Sequence, residues 1–194
     1  MEREIIFTGI GGQGIQLMAK ILAQAAANED KEVMLFGVYG GMMRGGSSES
    51  TIVIGDEEIQ APPIIPHCWS VVAMHPMGLA EAVAKLRPEG LLFANQTLVQ
   101  GAPRNDVRVA GIPATRMAEQ AGNIMGAGMI ALGAFAALTD VVRVESVVAA
   151  MRQILPPHRQ HLAERNVTLL TLGAAHVRGE GACGTPPRKA QAAS

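Results

Sequence analysis

Phe7-Thr8-Gly9-Ile10-Gly11-Gly12-Gln13-Gly14-Ile15 is the stretch from which the fold is read. A short apolar strand, Glu4-Ile5-Ile6-Phe7, runs into it, and a helix-like run rich in Ala, Leu and Met, Ile15 to Ala27, leaves it. Strand, glycine turn and helix in that order aim backbone N–H groups and a helix N-terminus at an anion. Gly9, Gly11 and Gly14 fit the spacing G-x-G-x-x-G. A tight βα turn with no ligand is the plainer reading of the same residues. The position, directly after the first strand and opening the first helix, favours the anion site.

Outward from that turn the chain alternates. Leu17, Ile21, Leu22 and Ala25 make one apolar stripe on the first helix. Glu29-Asp30-Lys31 turns, and Glu32-Val33-Met34-Leu35-Phe36 reads as a buried parallel strand. Gly37 to Ser50 is the second unusual stretch, with five glycines, Arg44 and three serines just past a strand's carboxyl end. Thr51 to Ile54 is a strand, and prolines at 62, 63 and 66 stiffen the next connection. Ser70 to Met74 is another buried strand. Pro76 opens a helix expected over Met77 to Leu86, and Gly90 stops it before the strand Leu91 to Asn95. Val107, Val109 and Gly111-Ile112 form a further strand, followed by Pro113 and a helix over Ala114 to Ala121. Asn123 to Leu138, full of Ala, Met, Ile and small residues, reads as a fully buried helix with Asn123 as its N-cap. Val144 to Ile154 is amphipathic, and His158 to Val177 is one helix or two. The pattern predicts an α/β fold, a Rossmann-like, mostly parallel sheet flanked by helices, with a helical C-terminal part. Residues 1–178 are expected to be a single domain and 179–194 a flexible tail without apolar periodicity. Both glycine-rich loops fall on the rim beyond the strands' carboxyl ends, where such sheets bind ligands.

Composition narrows the function. The chain has 194 residues, 48% of them hydrophobic, only 3% aromatic, and a formal net charge of -1. No basic face with interleaved aromatics is in view, which argues against a general nucleic-acid binder. Cys68 and Cys183 lie far apart with no C-x-x-C, so a four-thiolate cluster or zinc site cannot come from this chain alone. No signal-peptide pattern opens the sequence, and the longest apolar run, Ile124 to Leu138, is shorter than the roughly 18–20 residues that span a bilayer. The expected location is cytoplasmic.

The remaining motifs point to holding rather than converting. A dinucleotide site wants an acidic residue at the end of the second strand, but that strand ends Leu35-Phe36-Gly37-Val38-Tyr39, and no Gly-Lys-Ser/Thr makes a P-loop. A stand-alone NAD- or nucleotide-binding protein therefore stays as the alternative. Arg44, with Gly45, Gly46 and Ser47 beside it, offers a guanidinium fork and approachable amides for a phosphate or carboxylate. A surface loop with a solvated Arg fits the same composition. Asn95-Gln96 at a strand end either binds a ligand or caps the following turn. His158 and His161 lack a third ligand and are read as a solvated helix start. His67 and His75 flank a strand, with no Ser or Cys nucleophile paired to a base and an acid. No catalytic residue and no metal ligand is assigned.

At these residues the chain resembles the gamma subunit, or gamma domain, of 2-oxoacid:ferredoxin oxidoreductases. Gly9-Ile10-Gly11-Gly12-Gln13-Gly14, the Ala-rich helix, Tyr39-Gly40 and Arg44-Gly45-Gly46 with Ser47 and Ser50 carry the resemblance. It continues through Pro113-Ala114, Asn123 and Leu132-Gly133-Ala134, covering about residues 3–175. The resemblance implies a complex that joins a decarboxylated 2-oxoacid to coenzyme A and passes two electrons through iron–sulfur clusters to ferredoxin or a similar acceptor. It implies that thiamine diphosphate and the clusters sit in alpha, beta and cysteine-rich partner subunits. The gamma chain then supports assembly and the coenzyme A side of the active centre, and has no activity of its own. Gly11, Gly12, Gln13 and Gly14 would face the nucleotide or a neighbouring subunit, with Arg44 near the same region. The segment Tyr39-Gly40-Gly41-Met42-Met43-Arg44 lacks the proline and the carboxylate that relatives often carry there, which leaves the 2-oxoacid open.

Overall fold

The computed structural model describes residues 1–38, 46–60, 65–101 and 103–180. Arg44 and Gly45 of the second glycine loop, and residues 181–194 of the expected tail, lie outside them. Six strands form one sheet: β1 (Glu2–Ile10), β2 (Glu32–Val38), β3 (Ser47–Gly55), β4 (Cys68–Ala73), β5 (Leu86–Asn95) and β6 (Arg108–Ile112). Their order is β2-β3-β1-β4-β5-β6. β1, β4, β5 and β6 pair in parallel, whereas β3 is antiparallel to both β1 and β2. β2 is therefore not a buried parallel strand. It is the antiparallel edge, and its Leu35 is 38% exposed. An apolar run alone does not say which neighbour a strand will take, and here β3 claims both sides of its own backbone. Since β1 and β2 each oppose β3, they still point the same way, and the carboxyl ends of five strands share one rim.

Helices cover the two faces unequally. α1 (Ile15–Ala27), α4 (Ala127–Thr139), α5 (Val144–Ile154) and α6 (Ala163–Glu180) belong to the layer over Ile5, Phe7, Ile52, Val72 and Phe93. α3 (Ala114–Gln120) joins them through Ala114, Met117 and Ala118. The opposite face carries α2 (Leu79–Ala84), whose Ala82 and Val83 pack on Ile6, Val71 and Leu92. α2 is shorter than expected because Leu86 already pairs with Cys68 as strand.

The larger core is aliphatic, but four of the chain's few aromatics meet in it. Phe135 on α4 stands edge-on to Phe7, Trp69 and Phe93 at ring distances of 6.3, 6.4 and 5.7 Å, the arrangement that ring quadrupoles favour. The α4–α6 contact is backbone against backbone. A Cβ on Gly133 would lie 2.0 Å from the Leu170 carbonyl oxygen, and one on Gly173 1.9 Å from that of Ile130. α1 and α5 are tied end to end, with Glu29 accepting from the Arg143 N–H at 2.7 Å at the start of α5. Burial raises the Glu29 pKa, yet the hydrogen bonds from Ser146 and Arg143 and the Arg143 charge outweigh it and hold the carboxyl below its usual value.

The buried helix expected from Asn123 begins later. Ile124–Gly126 is a 3-10 turn, Ile124 and Met125 are exposed, and Gly126 rather than Asn123 is the N-cap of α4. His158 and His161 lie in a second 3-10 turn, Pro157–Leu162. α6 carries on to Glu180. No helix among the described residues is long and apolar enough to cross a membrane.

Candidate functional site

The strand connections turn opposite ways from the middle of the sheet. β1 leads through α1, on one face, toward the β3–β2 side, and β4 leads through α2, on the other face, to β5. The crevice between the carboxyl ends of β1 and β4 is the switch point where open α/β sheets hold ligands. The first glycine loop fills one wall of it.

Three glycines of the loop each have their own reason. Gly9 makes room underneath, since a Cβ there would sit 2.5 Å from Gln13 Oε1 and 2.8 Å from Ile15 Cδ1. Gly12 and Gly14 have φ of 101° and 76°, the left-handed region that glycine enters without strain. Gly14 is the N-cap of α1, and no acidic residue occupies the helix's first turn. The first-turn N–H groups lack intrahelical acceptors by geometry, so this end carries partial positive charge toward the rim. Gly11 and Gly12 are exposed.

The two glycine loops are joined directly. The Gly11 N–H donates to the Gly46 carbonyl oxygen at 3.0 Å. Gln16 on α1 reinforces the joint by donating from Nε2 to the Glu49 carbonyl at 2.8 Å. Ser47, the first residue of β3, is exposed beside them.

Two of the predicted ligand residues are engaged internally. Gln13 folds back under its own loop, where Oε1 accepts from the Ile10 N–H at 3.0 Å and Nε2 donates to the Met74 carbonyl at 3.3 Å. Its side chain fastens the end of β1 to the end of β4. Gln13→Leu keeps the volume and strands those backbone groups. It is expected to cost about 1–2 kcal/mol of stability in a denaturant titration. Asn95 is fully buried. Its Nδ2 donates to the Met74 carbonyl at 3.2 Å and to Thr115 Oγ1 at 2.8 Å, and its Oδ1 accepts from the Thr115 N–H at 3.2 Å. The Asn95 side chain ties the end of β4 to the start of α3 and makes no bond to the turn that follows it. The Met74 carbonyl thus receives both amides. The rim therefore brings together Gly9, Gly11, Gly12, Gly14 and Ser47, keeps Gln13 as their support, and sets Asn95 beneath the surface.

Sequence reasoning gave no ligand role to three neighbours. Thr8 Oγ1 is buried with no hydrogen-bond partner among the described residues. Gly78, with φ of 78°, packs so near that a Cβ on it would lie 2.7 Å from Thr8 Oγ1 and 3.0 Å from Ser47 Oγ. His75, just past β4, accepts from the Met77 N–H through Nδ1 at 3.1 Å. Their common signal was position at strand ends on the shared rim. Cys68 lies away from this rim, at the start of β4, and burial pushes its thiol up to about 12, which makes it a structural side chain. Among the described residues no group of three or more His, Cys, Asp or Glu is placed to hold a metal ion.

With this geometry in hand, residues 4–176 match the family described as pyruvate ferredoxin/flavodoxin oxidoreductase. The chain belongs to that family. It is 33% identical over 177 residues to the 2-oxoglutarate synthase subunit KorC of Methanocaldococcus jannaschii, covering 89% of this chain and 92% of the relative. The crystal structure of the keto/oxoacid ferredoxin oxidoreductase gamma subunit from Geobacter sulfurreducens superposes with a TM-score of 0.77 at 28% identity, covering 92% of this chain and 98% of that one. A 2-oxoglutarate:ferredoxin oxidoreductase from Magnetococcus marinus, solved with 2-oxoglutarate, coenzyme A and succinyl-CoA, shares the fold at a TM-score of 0.79 and 17% identity. There the unit accounts for 31% of a longer chain. The chain is a gamma-type member of the 2-oxoacid:ferredoxin oxidoreductases. The stand-alone dinucleotide reading is not favoured. β3 stands between β1 and β2, and the end of β2 carries no acid, so the second strand is displaced from the place a ribose-binding carboxylate would need.

Proposed function

We propose that this chain is the gamma subunit of a thiamine-diphosphate- and iron–sulfur-dependent oxidoreductase that converts a 2-oxoacid and coenzyme A to acyl-CoA and CO2, with two electrons leaving to ferredoxin or another acceptor. The carrying observation is the joined ledge: the Gly11–Gly46 hydrogen bond sets two glycine loops side by side at the N-terminus of α1, without an acidic residue in its first turn. Such a ledge suits the phosphates of coenzyme A. The described residues do not fit an iron–sulfur cluster, for they offer Cys68 alone as a thiol and bury it. Thiamine diphosphate and the clusters are assigned to alpha, beta and cluster-binding partner subunits. The chain's own work is to bind and orient coenzyme A and to help assemble the complex. The family match and the gamma-type relatives support this reading.

Affinity purification of the tagged chain from its native host, followed by assay, tests the proposal. Thiamine- and cluster-bearing companions should co-purify, and the complex should reduce a viologen dye in the presence of a 2-oxoacid and coenzyme A. The chain alone should be inactive. Turnover by the isolated chain, or micromolar NAD binding with none for coenzyme A, overturns the assignment.

A further inference from the structure

We propose that the outer edge of β2 is an association site, and that its occupant is the β2 strand of a second copy of this chain, paired antiparallel about Leu35. Among the described residues β2 pairs with β3 alone, so the N–H and C=O groups on its other side form an open row. Proteins that stay monomeric blunt such a row with a charge, a proline, a bulge or a very short strand. The middle of β2 has none of these. The strand runs seven residues and carries its one charge at the first of them, Glu32. Its register against β3 is unbroken from Glu32 to Val38. Leu35, at its centre, is 38% exposed. The opposite edge of the same sheet is the contrast. β6 has five residues and opens on an exposed Arg108. The sheet thus guards one margin and leaves the other apolar.

The residues of the strand select the occupant. Two copies related by the two-fold symmetry usual for homodimers overlap along all seven residues when Leu35 faces Leu35. In that register Met34 faces Phe36, Val33 faces Gly37 and Glu32 faces Val38. The two carboxylates lie at opposite ends of the pair, no like charges are opposed, and apolar side chains meet on both faces. A parallel pairing with the same overlap sets Glu32 beside Glu32, which the antiparallel one avoids. The pairing also has a direction. Antiparallel strands point their carboxyl ends oppositely, so the glycine-loop rims of the two copies face opposite ends of the joined sheet. Each rim stays open to its own partner subunits.

The full chain is examined by gel filtration with light scattering at micromolar concentration. Leu35→Lys opposes two like charges across the two-fold and should weaken association by about tenfold or more. Two cysteine variants, each made with Cys183→Ser so that only the buried Cys68 remains besides, read the register itself. Leu35→Cys brings two thiols face to face, where a cross-strand Cα separation of about 4.5–5.5 Å admits a disulfide. Glu32→Cys sets them roughly 20 Å apart along the pair, out of reach. The expected result is a dimeric wild type, a folded monomer for Leu35→Lys by circular dichroism, and a covalent dimer under mild oxidant for Leu35→Cys but not for Glu32→Cys. If Leu35→Lys does not fold, the cysteine pair decides alone. A monomeric wild type, a dimer that a folded Leu35→Lys leaves intact, or equal cross-linking of the two cysteine variants overturns the pairing.

Discussion

Gly173→Ala is expected to lower stability by about 3–5 kcal/mol, the scale of severe core overpacking, and to lower the melting temperature by roughly 10 °C. The added Cβ would lie 1.9 Å from the Ile130 carbonyl oxygen, and that atom is fixed in the backbone of α4. No rotamer change relieves the contact, so the two helices must separate. Separation undoes the reciprocal contact of Gly133 with Leu170 and loosens Leu169 and Leu170 from the core. Gly179→Ala is the control on the same helix. No atom lies within 4 Å of its Cβ position, so alanine's better helix propensity should leave stability unchanged or raise it by up to about 1 kcal/mol. Thermal melts of the two variants decide the matter, and equal melting would refute the close-packed account.

Asn95→Ala is the second large effect, expected to cost about 3 kcal/mol through the loss of three hydrogen bonds and the stranding of the Thr115 N–H. The Met74 carbonyl keeps its bond from Gln13. Loss of stability should therefore outrun any loss of ligand affinity. Urea unfolding and calorimetric titration with coenzyme A, run on the same preparation, separate the two. A variant of normal stability that no longer binds would place Asn95 among the ligand-contacting residues.

The first βα unit was plain in the sequence because three local signals agreed: an apolar strand, glycines at the φ-demanding positions, and a 3.6-residue stripe over Ile15–Ala27. The rim was legible for the same reason, since loops that follow parallel strands must leave the sheet on one edge. What was not legible was non-local. Glu32 to Phe36 looks the same whether it pairs with β1 or with β3, and the choice is made by a strand that appears later in the chain. Gln13 sits in the loop like a ligand residue, yet Met74, sixty-one positions away, provides the acceptor that turns it inward. Asn95 is captured in the same way by Thr115 on α3. Ile124 and Met125 continue an apolar run but fall on the 3-10 turn before α4, where Gly128 brings that helix up under the Gln13 carbonyl and leaves both side chains outside.

The place of β3 bears on how the chain is made. Synthesis delivers β1, α1 and β2 first, yet in the finished sheet those two strands lie apart by the width of β3, which emerges later. Until Ser47 to Gly55 leaves the ribosome, the amino-terminal quarter has two open edges facing an empty slot of roughly 10 Å, twice the normal strand spacing. Neither edge can be satisfied by the other. Nascent chains stalled before that point should be captured by holdase chaperones, and release should coincide with the arrival of the strand that closes the gap.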